Sequence, residues 1–132
     1  MLAVLLSVKR TWWEKMLTGE KTLEIRKTAP KSGKGRAVTW PLPVLVYVSG
    51  TGAVQGRFMC QGWVKTNYLP YLTRGSCVPL HALEEYAAGG QLYGWIVTGA
   101  KKYDTPSPLA EFGLEVPPMS WRYIEIPDTA EV

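Results

Sequence analysis

The chain has 132 residues, 46% of them hydrophobic and 20% charged, a balance that excludes a disordered chain and suits one domain, 1–132, with its own core. Its 15 Lys and Arg against 11 Asp and Glu leave a formal net charge of +4, a mild lean toward anionic partners. Two cysteines without a C-x-x-C pattern and a single histidine speak against a structural zinc site, and one histidine excludes a two-histidine ribonuclease mechanism within a monomer. Neither metal nor cofactor is expected.

The apolar run Leu2–Leu6 is too short to span a bilayer or to form a signal-peptide core, and it meets Lys9 and Arg10. It reads as a buried first strand, with the cytoplasm as the expected compartment and no membrane partner. Thr11 and Glu14 have capping-box spacing; Trp12, Met16 and Leu17 recur at helical spacing, and Gly19 suits a left-handed helix stop. The period then drops to two, with Thr22, Glu24 and Arg26 alternating with Leu23 and Ile25. Lys31 to Arg36 reads as a flexible basic loop. Pro41 and Pro43 bracket a turn before a central strand, Val44 to Val48.

From Ala53 to Val64 the chain alternates, Val54, Phe58, Cys60 and Val64 on one parity and Gln55, Arg57, Gln61 and Trp63 on the other. Gly56 and Gly62 suggest bulges of the kind that curl a sheet. Asn67 to Ser76 reads as a loop, Pro79 to Tyr86 as a second short helix ended by Gly89 and Gly90. Strands follow at Leu92–Val97 and Trp121–Ile126. Many short strands with two short helices predict an α+β fold, a small, partly open mixed β-barrel with helices over its openings. Cys60 and Cys77 read as two reduced, core-type thiols.

The segment Gly19–Lys27 is the densest in chemistry. A lysine stands at a helix–strand junction, followed by a carboxylate and a guanidinium on one strand face. Such a face is either a solvated surface with a weak ion pair or an anion site built from Lys21, Glu24 and Arg26. Strict alternation places Lys21 and Glu24 on opposite faces, so a shared site needs a bend near Lys21. Six Trp and seven Tyr against two Phe favour rings with a polar handle. Trp13, Trp40, Tyr68, Tyr71 and Trp121 are candidates for stacking on bases, with core packing as the alternative. Exposed aromatics also fit a protein-interaction adaptor. Glu84, Glu85 and His81 read as surface residues.

Taken in order, Ser7-Val8-Lys9, the first helix, Gly19-Glu20-Lys21-Thr22-Leu23-Glu24-Ile25-Arg26-Lys27, Tyr47-Val48-Ser49, Ala53 to Phe58, Tyr93-Gly94-Trp95 and Pro117-Pro118-Met119-Ser120-Trp121 resemble the ASCH domain family. The resemblance runs from Ser7 to Ile124 and is greatest to small single-domain bacterial or phage members. It implies the PUA-like β-barrel fold and RNA or nucleotide binding in a cleft between the barrel and the first helix, around the G-x-K-x-x-E-x-R residues. On that resemblance Lys9, Lys21, Arg26, Lys27, Ser120, Trp121 and Arg122 form the candidate nucleic-acid-binding set. The family also implies an alternative, a metal-independent hydrolase with Lys21 and Glu24 as catalytic residues, either a ribonuclease or an amidohydrolase of a modified nucleoside such as N4-acetylcytidine. In the amidohydrolase branch a threonine nucleophile follows the lysine by three positions; that position holds Glu24 here, and only Lys21 matches.

Overall fold

A computed structural model describes residues 1–128. Six strands and three α-helices follow one another as β1 (Leu2–Val8), α1 (Arg10–Thr18), β2 (Leu23–Arg26), β3 (Leu42–Val48), β4 (Ala53–Thr66), α2 (Pro70–Ser76), α3 (Leu80–Ala87), β5 (Leu92–Pro108) and β6 (Trp121–Glu125), with a 3-10 turn at Leu109–Phe112 before β6. They form one mixed sheet in the order β2-β5-β4-β3-β1-β6. Only β1 and β3 run parallel, joined by a crossover through α1 and β2. Both are buried on their two faces, which is why their sequences are near-continuous apolar runs instead of alternations.

Residues of one parity, Val4, Leu6, Val8, Val44, Val46 and Val48, pack with Phe58, Trp95 and the α1 side chains Trp13 and Met16. The opposite parity, with Ala3, Leu5, Leu45 and Tyr47, packs against Leu109 and Ile124. A third cluster holds α2 and α3 against β2 through Ile25, Leu72 and Leu83. Register shifts interrupt the β4 ladders at Val54–Gly56, Arg57–Met59 and Cys60–Trp63, so the anticipated bulges are present. Gly56 has a further role. A Cβ there would lie 2.2 Å from the Lys101 carbonyl oxygen and 2.7 Å from the Trp13 ring, so only glycine lets β5 and α1 approach β4 this closely.

Several expectations are corrected. The expected α+β sheet is present and open, with β2 and β6 at its two edges and no pairing between them among the described residues to close it into a barrel. Asn67 to Ser76 contains a helix, α2, which gives three α-helices where two are expected. The Thr11–Glu14 capping box does not form, because α1 already starts at Arg10 with Lys9 as its N-cap and no side-chain cap. Pro43 lies within β3, paired with Met59 on β4 and one residue before the ladder with β1 begins. Gly33 and Arg36 bridge each other, which turns the basic loop back on itself. Among the described residues no helix is long and apolar enough to cross a membrane.

Candidate functional site

Gly19 ends α1 in the left-handed conformation, its N–H donating to the Met16 carbonyl. The chain then turns through residues pinned by backbone bonds, Lys21 N–H to the Lys15 carbonyl at 3.0 Å and Thr22 N–H to the Gly75 carbonyl at 2.7 Å. The β2 strand starts only at Leu23. Lys21 therefore lies outside the alternating segment, and the junction is the bend that brings it to the side of Glu24. Their Nζ and Oε1 atoms are 3.6 Å apart.

The reading of this strand as a solvated face is overturned by burial: Lys21 is 1% and Glu24 4% exposed. Such charges persist in a folded interior only when paired and hydrogen-bonded. Lys21 Nζ donates to the Ser76 carbonyl, the last of α2, at 2.6 Å, where the negative end of a short helix and an orphan acceptor coincide. The Trp12 ring centroid lies 4.7 Å from the same ammonium. Glu24 accepts from Arg26 Nη2 at 3.1 Å through Oε2 and from the Ile25 N–H at 3.2 Å through Oε1. Arg26 also donates to the Ser7 carbonyl at 2.6 Å and to Ser120 Oγ at 3.0 Å. One guanidinium thus ties the β2 edge to β1 and to the residue before β6, across the gap that the backbone ladder leaves open. Burial lowers the Lys21 pKa below its ordinary value, and the Glu24 carboxylate only partly offsets it.

These side chains form the floor of a cleft of about 490 Å³. Its walls are Ser7, Lys9 and Trp12 on one side, Val78, Ala82, Leu83 and Tyr86 from the α3 side on the other, with Ser49 and the fully exposed Met119 at its mouth. Two aromatic rings and three cationic side chains, Lys9, Lys21 and Arg26, line the cleft with one carboxylate. Among the described residues no cluster of three or more His, Cys, Asp or Glu could hold a metal ion.

Of the residues singled out in the sequence, Lys9, Lys21, Glu24 and Arg26 are brought together in this cleft. Lys27 stands at its rim, its ammonium 4.8 Å from the centroid of the Tyr86 ring. Ser120 is engaged by Arg26. Trp121 is placed otherwise than a stacking residue in the cleft: its indole packs edge-on between Trp95 and Tyr123 and donates to Thr28 Oγ1 at 2.9 Å. Arg122 pairs across β1 with Leu5, whose side chain belongs to the opposite core, and does not line the cleft. Trp13 is core, whereas Trp40, Tyr68 and Tyr71 are exposed. Cys60 is buried, as a core-type thiol should be, but Cys77 is only half-buried at the left-handed end of α2; neither is in a disulfide. Sequence reasoning missed Trp12 and Tyr86 as cleft walls and the Ser76 carbonyl as the lysine's acceptor. The helical spacing of Trp12 pointed to packing, and nothing local marks a carbonyl 55 positions away.

No family model matches the sequence, and no curated protein matches it. Among solved structures the chain is similar to the ASCH protein of Zymomonas mobilis, with a TM-score of 0.75 at 15% identity over 93% of this chain and 87% of that one. A tyrosine-to-phenylalanine mutant of that protein gives 0.75 at 14% identity, covering 93% and 90%. A serine-to-alanine mutant gives 0.74 at 14%, covering 93% and 88%. At this identity the likeness is one of fold. The mixed α+β fold of the ASCH proteins, which the sequence resemblance implies, is the fold of this chain.

Proposed function

With the ASCH fold as premise, we propose that this protein binds RNA or a nucleotide, placing one nucleotide unit in the cleft over Lys21, Glu24 and Arg26. The observation that carries this reading is the buried Lys21–Glu24–Arg26 array on the cleft floor. Lys9, Lys21 and Arg26 against Glu24 leave positive charge in excess, which suits a phosphate. Trp12 and Tyr86 line the cleft and supply aromatic surface against which a base can pack. A volume near 490 Å³ suits a nucleoside-sized ligand.

The test is fluorescence anisotropy of labelled single-stranded RNA, together with quenching of tryptophan fluorescence by nucleoside monophosphates, across a salt series. Binding that weakens steeply with salt and is lost in Lys21→Ala is the expected result. Absence of binding to RNA and to nucleotides at low ionic strength overturns the reading.

A second reading, metal-independent hydrolysis of RNA or of a modified nucleoside, is favoured by one feature, the buried amine whose pKa burial lowers. In this reading the neutral Lys21 amine takes the proton of a ribose 2′-hydroxyl or of water. The oxygen attacks, and the leaving group departs with a proton returned from the Lys21 ammonium, which the Glu24 carboxylate stabilises. Turnover that Lys21→Ala and Glu24→Gln each abolish, in folded protein, is the result this reading requires.

A further inference from the structure

Beyond the cleft, β2, β5 and β4 carry a second cationic and aromatic cluster. Arg26 pairs across β5 with Tyr93, and Tyr93 pairs across β4 with Lys65, so the three form one cross-strand row starting at the cleft floor. With neighbouring strands about 4.8 Å apart, the row spans about 10 Å, short enough for neighbouring nucleotides of one strand to bridge. The Lys65 and Lys31 ammoniums lie 5.3 and 5.7 Å from the Tyr93 ring centroid. Both side chains belong to exposed residues, and among the described residues neither forms an ion pair with a carboxylate. Two like charges converging on one ring repel each other and are relieved by an anion between or beside them. Burial raises the Tyr93 phenol pKa, yet hydrogen bonding by Lys65 and Lys31, with their charge, lowers the value overall.

Beside the lysines runs a shallow groove of about 340 Å³ lined by Pro30, Lys31, Trp40, Gln61, Gly62 and Trp63. Its shape is held before any ligand arrives. Trp63 Nε1 donates to the Pro30 carbonyl at 2.8 Å, and the Lys31 N–H donates to the Tyr123 hydroxyl at 3.0 Å. Trp63 also packs edge-on against Tyr93, with centroids 4.9 Å apart. Trp40 lines the groove and is 39% exposed. Cations beside a solvent-exposed aromatic side chain are the two parts of a single-stranded nucleic-acid subsite, one for the phosphate and one for the base.

We propose that Lys31 and Lys65 hold a phosphodiester, and Trp40 a base, of a nucleotide neighbouring the one in the cleft, so that the ligand is single-stranded RNA several nucleotides long instead of a free nucleotide. This rests on the reading of the cleft as a nucleotide site and names its ligand class.

The experiment compares a labelled mixed-sequence RNA hexamer, read by anisotropy, with the four nucleoside 5′-monophosphates, read by tryptophan quenching. The proteins are wild type, the double variant Lys31→Ala/Lys65→Ala, and Trp40→Ala. All the substituted side chains are exposed, so the fold survives, and circular dichroism melting verifies it. The expected result is hexamer affinity reduced about tenfold or more in the double variant, a log–log salt slope shallower by roughly 0.7 for the one lost phosphate contact, and mononucleotide binding unchanged. Trp40→Ala weakens the hexamer alone. Hexamer binding unaffected by all three substitutions, while mononucleotides still bind, overturns this inference and leaves the cleft reading standing. Failure of both ligands to bind wild type overturns the cleft reading, and this inference with it.

Discussion

Lys21 and Glu24 are three positions apart in sequence and 3.6 Å apart in space, although on a regular strand they would face opposite sides. The helix stop at Gly19 and the late start of β2 at Leu23 leave Lys21 on a turn, and that turn reverses its side. A carboxylate then stands between two cations, with the Arg26 guanidinium on its other oxygen.

Burial lowers the Lys21 pKa from its ordinary 10.5, while Glu24 works in the opposite direction. The unfolded chain therefore holds this proton more tightly than the native state does. The native state is penalised below the folded pKa, and the penalty is relieved as pH rises through that value toward 10.5. In NMR, the Lys21 side-chain signal is expected to titrate below the exposed lysines, and lower still in Glu24→Gln. A Lys21 midpoint level with those lysines would contradict the account.

Arg26→Ala removes three hydrogen bonds at once, to Glu24, the Ser7 carbonyl and Ser120. It leaves a buried carboxylate with one cation fewer, and a loss of about 2–4 kcal/mol in urea unfolding is expected. Ser120→Ala removes only one side-chain contact, made by an exposed hydroxyl, and should cost about 1 kcal/mol or less. Equal losses for the two variants would show that Arg26 does not tie the sheet edges together.

Glycine-to-alanine substitutions separate close approach from mere flexibility. Gly56→Ala drives a methyl into the Lys101 carbonyl and the Trp13 ring, so about 3 kcal/mol or more is expected, read as a lowered thermal midpoint or failure to fold. Gly90→Ala meets only the Ala87 carbonyl oxygen at 3.3 Å and should stay within about 1 kcal/mol of wild type. A mild effect at Gly56 would refute the packing described for β4, β5 and α1.

The two thiols should differ in reactivity. Burial pushes the Cys60 thiol up to about 11, whereas Cys77 is half-buried. Under native conditions at mildly alkaline pH a thiol reagent is expected to modify Cys77 and spare Cys60, with both reacting after denaturation. Rapid native modification of Cys60, resolved by peptide mass mapping, would be the contrary result.

Much of the scaffold is legible locally. The apolar runs of β1 and β3, the Gly19 stop and the alternation of β4 as far as Cys60 are written in neighbouring residues and are present; beyond Cys60 the bulge reverses the expected parity, packing Trp63 with the Phe58 and Cys60 cluster and Val64 with the cluster under α2 and α3. The α2 helix is not. Its residues, Pro-Tyr-Leu-Thr-Arg-Gly-Ser, lack an amphipathic period, and it forms where Leu72 packs with Ile25 and Leu83. The late aromatic motif is legible as a motif but not as a placement. Trp121 and Arg122 are adjacent in sequence, and the alternation of β6 sends them to opposite faces, neither into the cleft.

By itself the sequence determined which residues carry charge at the helix–strand junction, where that junction lies, and the α+β class of the fold, because caps and periodicities act over a few residues. Tertiary structure decided that Lys21 is buried, since its acceptor is the Ser76 carbonyl 55 positions on. It also decided that Arg26 reaches Ser7 and Ser120, 19 and 94 positions away. Burial and partner choice depend on which distant backbone atoms the folded sheet and the end of α2 bring within hydrogen-bond range, and no local pattern specifies those distances.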